Sequence, residues 1–252
     1  MAQIIAVLNQ KGGVGKTTTA INVAAYLAKA GKSVLVVDFD PQGNATSGLG
    51  LDKQRMELTS YDALADGAQI DQIIKDTDVP GLRIMPTNAS LASAEVELVG
   101  RDNREHLLKR ALEGLTYDYI LIDCPPALGL LTINALVAAH WLLVPVQAEY
   151  YAMEGLGQLL SVMQRVRGGL NSRLEMLGVV ATMYDSRTSL SEQVYGELQR
   201  HFGDKLFKTI IPRNIRLAEA PSYGKPIAEH DKWSKGARAY KSLTKEVIAR
   251  AR

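Results

Sequence analysis

The chain is nearly without cysteine: Cys124 is the single thiol in 252 residues. No internal disulfide can form, and the thiolate set that holds an iron–sulfur cluster is missing. Cys124 sits at the end of an apolar strand pattern and reads as a small buried residue. Long hydrophobic runs are scarce as well. The most apolar stretch, Ala135 to Val146, is interrupted by His140 and falls short of the ~20 residues that span a bilayer. No basic-then-apolar leader is visible, because Gln3 runs straight into the first apolar segment, so a cytoplasmic protein is expected. His106, His140, His201 and His230 show no metal-ligand spacing and read as surface or packing residues. Internal repeats, low-complexity tracts and proline-rich linkers are lacking, so one domain over residues 1–252 is expected.

A large net charge is lacking too, at +2, but this sum hides an asymmetry. Residues 1–164 carry 12 Lys/Arg against 18 Asp/Glu, a net of −6, whereas residues 165–252 carry 17 against 9, a net of +8. A basic last third points to a face that meets a polyanion; the alternative is lysines scattered over helices that simply keep them solvated.

Residues 9 to 19 hold the most specific signal: Asn9-Gln10-Lys11-Gly12-Gly13-Val14-Gly15-Lys16-Thr17-Thr18-Thr19. The stretch follows the apolar run Ile4 to Leu8 and precedes a helical pattern from Ala20 to Ala30. A glycine-rich turn between strand and helix aims backbone N–H groups and the helix N-terminus at one point, which favours an anion. Lys16 adds an ammonium for the outer phosphates, and Thr17 adds a hydroxyl suited to Mg²⁺. A nucleoside triphosphate site is expected, with Gly12, Gly13, Val14, Gly15 and Thr18 completing the cradle. The pattern departs from G-x-x-x-x-G-K-[ST], since Gln10 replaces the first glycine and a second lysine, Lys11, stands beside it. A dinucleotide-binding turn is disfavoured, because Thr18 occupies the place of its third glycine. The plain alternative is a glycine-rich turn that caps an ordinary helix.

Apolar runs at 3–8, 33–38, 82–86, 118–123, 141–146, 176–182 and 206–211 predict strands. Helical patterns lie near 16–30, 90–114, 129–139, 153–168, 190–202 and 236–250, with short helices outside the sheet over Leu51 to Pro80. Several strands are continuously apolar, as in a parallel sheet covered on both faces, so the expected fold is a doubly wound α/β sheet of the P-loop NTPase type. Ligands of such sheets collect at the carboxyl ends of the strands. Asp123 closes one apolar run there, where a carboxylate is costly to bury unless paired or beside a metal. Asp38 and Asp40 close another and, two residues apart, point the same way. Asp38 has a second reading, as a helix or turn cap.

The loop with its extra Lys11 resembles the deviant Walker A motif of the MinD/ParA ATPases. Further matches are Val34 to Asn44, Leu121-Ile122-Asp123-Cys124-Pro125-Pro126, Gln147 to Leu156 and Pro212-Arg213-Asn214. They extend over nearly the whole chain, and the short ParA/Soj type is the best match. The resemblance implies ATP and Mg²⁺ as ligands and catalysis by Lys11, Lys16 and Asp40. Asp40 would activate water, Asp123 and Asp38 would support the metal together with Thr17, and Lys11 would reach the phosphates of a partner subunit, in the manner of an arginine finger. Glu149, Tyr150 and Glu154 would join that ATP-dependent homodimer interface, although Tyr150 and Tyr151 can equally be core aromatics. Asn214, the backbone near Pro212 and Met183 would hold adenine.

The basic stretch from Lys208 to Lys241 includes Arg213, Arg216, Lys225, Lys232 and Lys235. The resemblance assigns Arg187 and Arg216 to double-stranded DNA binding without sequence preference, and lysine or arginine contact with phosphates is of that kind. It further implies a ParB-like centromere-binding partner that stimulates slow hydrolysis, and a cytoplasmic, nucleoid-associated protein. Two other readings compete. A MinD-like membrane-cycling ATPase needs a C-terminal amphipathic helix, and the tail offers only Leu243, Val247 and Ile248, which more simply dock on the core. No stable membrane association is therefore expected. A metabolic ligase on the same scaffold leaves the basic last third unexplained.

Overall fold

The structure, a computed structural model, describes residues 2–65, 68–149 and 154–251, Glu154 by its backbone alone. The elements follow as β1 (Gln3–Val7), α1 (Lys16–Lys29), β2 (Val34–Asp38), α2 (Asn44–Gly48), α3 (Ser60–Ala63), α4 (Ile70–Ile73), β3 (Lys75–Asp76), β4 (Leu82–Met85), α5 (Leu91–Glu97), α6 (Leu107–Leu112), β5 (Tyr119–Asp123), α7 (Leu130–Ala138), β6 (Trp141–Gln147), α8 (Glu154–Gly169), β7 (Glu175–Thr182), α9 (Ser189–Phe202), α10 (Ile215–Glu219), α11 (Ile227–His230) and α12 (Lys235–Arg250).

The strands form a sheet in the order β3-β4-β2-β5-β1-β6-β7, parallel throughout except for β3, which runs antiparallel to β4. Alternate residues of each central strand enter two cores. Ile5, Val7, Val34, Val36 and Leu121 face α1 and α12, while Ala6, Leu35, Val37, Ile120 and Ile122 face the helices of the other side. Both faces being covered explains why these strands read as unbroken apolar runs. The expected doubly wound α/β architecture is what forms.

Two local expectations need correction. Residues 206–211 do not form a strand, although Phe207 N and Ile211 N donate to Val179 O and Ala181 O, both at 2.8 Å. Between them, Lys208 N and Thr209 N donate instead to the Glu246 carboxylate of α12, at 2.9 and 2.8 Å, which lifts the segment off the edge of β7. The helix expected over 90–114 is broken, because Asn103 takes a left-handed φ of 54° between α5 and α6, a conformation that a right-handed helix cannot pass through.

The last helix docks on the core as expected. Leu243 and Val247 are fully buried, Ile248 packs partly against the same cluster, and the buried Tyr240 hydroxyl lies 3.1 Å from Thr19 Oγ1. Its apolar residues are thus spent on α1 and the sheet. Among the described residues no helix is long and apolar enough to cross a membrane.

Candidate nucleotide site and basic face

The register of the sheet sets the site. Val7 of β1 and Asp38 of β2 both lie opposite Asp123 of β5, so three strand ends meet at one edge. The loop that leaves β1 is anchored at both ends. Asn9 Nδ2 donates to Pro145 O at 2.7 Å, Asn9 Oδ1 accepts from Lys11 N at 3.0 Å, and Val14 O accepts from Thr182 Oγ1 at 2.8 Å. Gly13 and Gly15 take φ of 75° and 88°, in the left-handed region, and a Cβ at either would meet nothing within 4 Å. Conformation rather than crowding therefore requires glycine, and the concave side of the loop is open. Gly15 caps α1 without any side-chain acceptor, and no acidic residue stands in the first turn. The first amides of a 14-residue helix are left for an anion.

Lys16 folds back over this cradle, with Nζ donating to Lys11 O at 3.2 Å. Burial holds its pKa below the ordinary lysine value, and the charges of Asp123 and Asp40 oppose that shift. Asp123 is fully buried and neither of its oxygens has a hydrogen-bond partner. The Thr17 hydroxyl stands close enough to favour its charged form, but outside hydrogen-bond geometry. Burial, and then the charge of Asp38, push the Asp123 carboxyl well above its usual range. Asp38 is pushed up to about 7, by burial, against the hydrogen bonds it receives. Its Oδ2 accepts from Thr46 N at 2.7 Å and Thr46 Oγ1 at 2.6 Å, while Oδ1 has no partner. Of the two readings of Asp38, the cap is what forms, with one oxygen on α2, and the other oxygen has no partner.

Three buried, unpartnered carboxylate oxygens near Lys16 and Thr17 fit a small dication. Among the described residues no group of three or more His, Cys, Asp or Glu side chains could hold a metal alone. That suits Mg²⁺, which takes one or two carboxylates and completes its shell with phosphate, water and other oxygens. Asp40 closes an Asx turn, its Oδ1 accepting from Gln42 N at 3.0 Å and its carbonyl from Gly43 N at 2.8 Å. It thereby starts the segment that leads into α2.

Lys11 points to Glu149, with Nζ 3.4 Å from Oε2 and its side chain 39% exposed. Gln147 Nε2 donates to the other oxygen at 2.6 Å, and Arg213 Nη2 approaches it at 3.8 Å. An exposed pair of this kind is worth about 0–1 kcal/mol, so Lys11 can leave it at little cost. Tyr150 lies outside the described residues, as does the Glu154 side chain. On the far side of the loop a cavity of about 260 Å³ is lined by Gly15, Thr18, Met183, Pro212, Asn214 and Tyr240, among others. Met183 has a left-handed φ of 50°, and Asn214 caps α10 by accepting from Leu217 N at 3.3 Å. The sequence-predicted residues Met183, Pro212 and Asn214 do come together there; Tyr240, more than 220 positions from the loop glycines, had no local signal.

The basic residues divide. Arg187 forms a two-pronged pair with Asp185, Nε to Oδ1 at 2.9 Å and Nη2 to Oδ2 at 2.7 Å, and this arginine holds the Asp185 carboxyl well below its usual range. Arg213 N donates to Tyr184 O at 3.0 Å, which brings the Arg187 loop beside the segment that carries Arg213 and Arg216. Arg216 pairs with Glu219 at 3.0 Å and Asp231 at 3.6 Å. Lys225, Lys232 and Lys235 are exposed. Arg213, through Glu149, belongs as much to the phosphate side as to this face. Sequence reasoning missed the carboxylate held by each arginine, because the pairs depend on loop geometry.

A further contact joins the two regions. Gly224 lies directly on Gly50: a Cβ added at Gly224 would come within 2.6 Å of Gly50 Cα. Gly50 follows α2, and Gly224 precedes Lys225. A cavity of about 280 Å³ is lined by Thr17 and Thr18 of α1, Asn44 and Ser47 of α2, and Pro221 and Lys225.

Comparison with known proteins places these features in a family. A family model described as AAA domain matches residues 2–176. The chain is 56% identical over 251 residues to the sporulation initiation inhibitor protein Soj of Bacillus subtilis, covering 99% of both. It is 54% identical over 246 residues to the chromosome-partitioning ATPase Soj of Thermus thermophilus, covering 98% of this chain and 95% of that one. Among solved structures, cobyrinic acid a,c-diamide synthase from Mycobacterium smegmatis with bound ADP and magnesium superposes with a TM-score of 0.87 at 37% identity, covering 98% of this chain and 94% of that one.

Proposed function

Since the chain belongs to the ParA/Soj family of chromosome-partitioning ATPases, we propose that it is a nucleotide-switched DNA binder: a Mg²⁺-dependent ATPase that dimerises with ATP, coats DNA without sequence preference and lets go on hydrolysis. The observation that carries this reading is the open, uncapped glycine cradle beside unpartnered carboxylate oxygens of Asp38 and Asp123. The ligase reading, on which the Mycobacterium smegmatis relative bears, is less favoured, because identity to the partitioning ATPases is higher over the same span.

The roles follow from chemistry at each place. The amides of residues 12–18 and Lys16 Nζ take the phosphates of ATP, and the 260 Å³ cavity takes its base. Asp123, Asp38 and Thr17 would hold Mg²⁺, which would supply positive charge to the phosphates of ATP. Asp40 orients and deprotonates the attacking water. Lys11 leaves Glu149 and reaches the phosphates across the dimer, where two nucleotides face to face need added positive charge. Arg187, Arg216, Lys225, Lys232 and Lys235 take DNA phosphates, and a dimer doubles that face. Thr46 on Asp38 and Gly224 on Gly50 give a packed route between the two ligands. A ParB-like protein acts on the slow basal turnover.

The test is ATP binding by Lys16→Ala. Loss of the ATP-induced thermal shift with an unchanged melting temperature of the free protein is expected; an undiminished shift would remove the phosphate role of this loop. The MinD-like alternative is opposed by the burial of Leu243 and Val247, which leaves α12 no apolar face for a membrane.

A further inference from the structure

The basic face carries three large apolar side chains in the open: Ile215, Tyr223 and Trp233 are 75%, 66% and 78% exposed. Single exposed apolar residues are ordinary. These three are joined by the charged groups between them. Arg216, next to Ile215, reaches both Glu219 and Asp231. Asp231 Oδ1 accepts from Trp233 N at 3.1 Å. Glu219 lies 3.8 Å from His230 Nε2, and the His230 ring lies against Tyr223 with centroids 4.8 Å apart. Lys232 Nζ stands 5.3 Å from the centre of the Trp233 ring, within cation–π range.

The turn that presents Trp233 is firmly built. Ser234 Oγ donates to Asp231 O at 2.9 Å and accepts from Ala237 N at 3.0 Å, capping α12. A large ring on a fixed turn loses little freedom when it is covered, which favours binding. The surroundings name the occupant. Lys225, Lys232, Lys235 and Arg216 alternate along the chain with Ile215, Tyr223 and Trp233, and the carboxylates of Glu219 and Asp231 are engaged by Arg216. A duplex offers the complement: rows of phosphate with apolar sugar and base-edge surface between them, where side chains of this type are used as wedges.

Resting on the DNA-binding reading above, we propose that Trp233, supported by Tyr223 and Ile215, is a DNA-contacting residue that packs into the minor groove while the neighbouring cations take the phosphates. The contact adds affinity that salt does not screen, on top of a charge term that salt does.

The chain has two tryptophans, and the other, Trp141, begins β6 and donates to Gln3 Oε1 at 2.8 Å. In a Trp141→Phe variant, emission therefore reports Trp233. Titration of the ATP-bound protein with a mixed-sequence duplex should change that emission saturably. Trp233→Ala should weaken duplex binding roughly five- to a hundredfold with an unchanged slope of log affinity against log salt, and Trp233→Phe should restore most of the loss. Lys232→Ala should instead lower that slope by about one. Steeply salt-dependent binding with unmoved Trp233 emission and unaltered affinity of Trp233→Ala would overturn the inference and leave the DNA reading standing. No duplex binding by the wild type in any nucleotide state would overturn both. A response to anionic phosphatidylglycerol vesicles but not to duplex would assign the patch to lipid and so contradict the proposal.

Discussion

Asp123→Asn should stabilise the nucleotide-free protein while destroying its response to Mg²⁺ and ATP. Asp123 ends a central strand with both oxygens buried and unpartnered, so its charge is held in the fold only at a cost. Its neighbour shifts in the same direction. Asp38 keeps two hydrogen bonds from Thr46 and is still pushed from 3.8 to about 7, which corresponds to about 4 kcal/mol at 1.36 kcal/mol per unit. Asp123 lacks those bonds and is raised well above its ordinary value. Replacing this buried carboxylate, which Lys16 compensates only in part, should therefore stabilise the fold at pH 8, on the ~1–4 kcal/mol scale on which buried ionic groups are replaced, or roughly 2–16 °C for a domain of this size.

The pH dependence has a definite sign. A carboxyl whose folded pKa is raised keeps its proton in the folded state over a window where the unfolded chain has lost it. Stability is therefore highest near the unfolded pKa of about 4 and falls as pH rises toward the folded value. The gain from Asp123→Asn should accordingly be large at pH 8 and small at pH 5. Thermal unfolding in EDTA at both pH values, followed by addition of ATP and Mg²⁺, is the assay. A variant that loses stability equally at both would show Asp123 to be a structural hydrogen-bonding residue and refute the reasoning.

Three further outcomes are expected. Asp40→Ala should bind ATP with little loss yet hydrolyse it at least a hundredfold more slowly, in line with loss of a general base, so that ATP-bound dimers accumulate in size-exclusion chromatography; a variant that stays monomeric with ATP would contradict its role. Arg216→Glu should retain the ATP-dependent dimer and lose duplex binding in a mobility-shift assay, and undiminished affinity would disprove the basic-face assignment. Asp185→Asn should free Arg187 from its two-pronged partner and tighten duplex binding a fewfold; weaker binding would show that the carboxylate orients the arginine instead of competing for it.

The parallel sheet was legible in the sequence because its strands are buried on both faces, and their unbroken apolar runs carry no rival helical period. The phosphate loop was legible because its chemistry is local: glycines with left-handed φ, a lysine and a threonine in consecutive positions between strand and helix. Asp38 and Asp123 were readable as strand ends, although only the register shows them side by side. What escaped was set by distant partners. Residues 206–211 have a strand's composition, but Glu246, some 40 positions on, takes two of their amides. Gly100 and Asn103 are breaking residues, but the helical spacing on either side masked the interruption over 90–114. The arginine–carboxylate pairs and the seat of Gly224 on Gly50 likewise belong to folded geometry and to no motif.

The most direct test of the central claim is duplex binding by the intact protein with ATP, with ADP and without nucleotide, across a salt series, with Asp40→Ala included to hold the ATP state. The account predicts binding only with ATP, falling steeply as salt rises, and persistent for Asp40→Ala. Equal binding in all three nucleotide states, or none while ATP-dependent dimers still form, would contradict it.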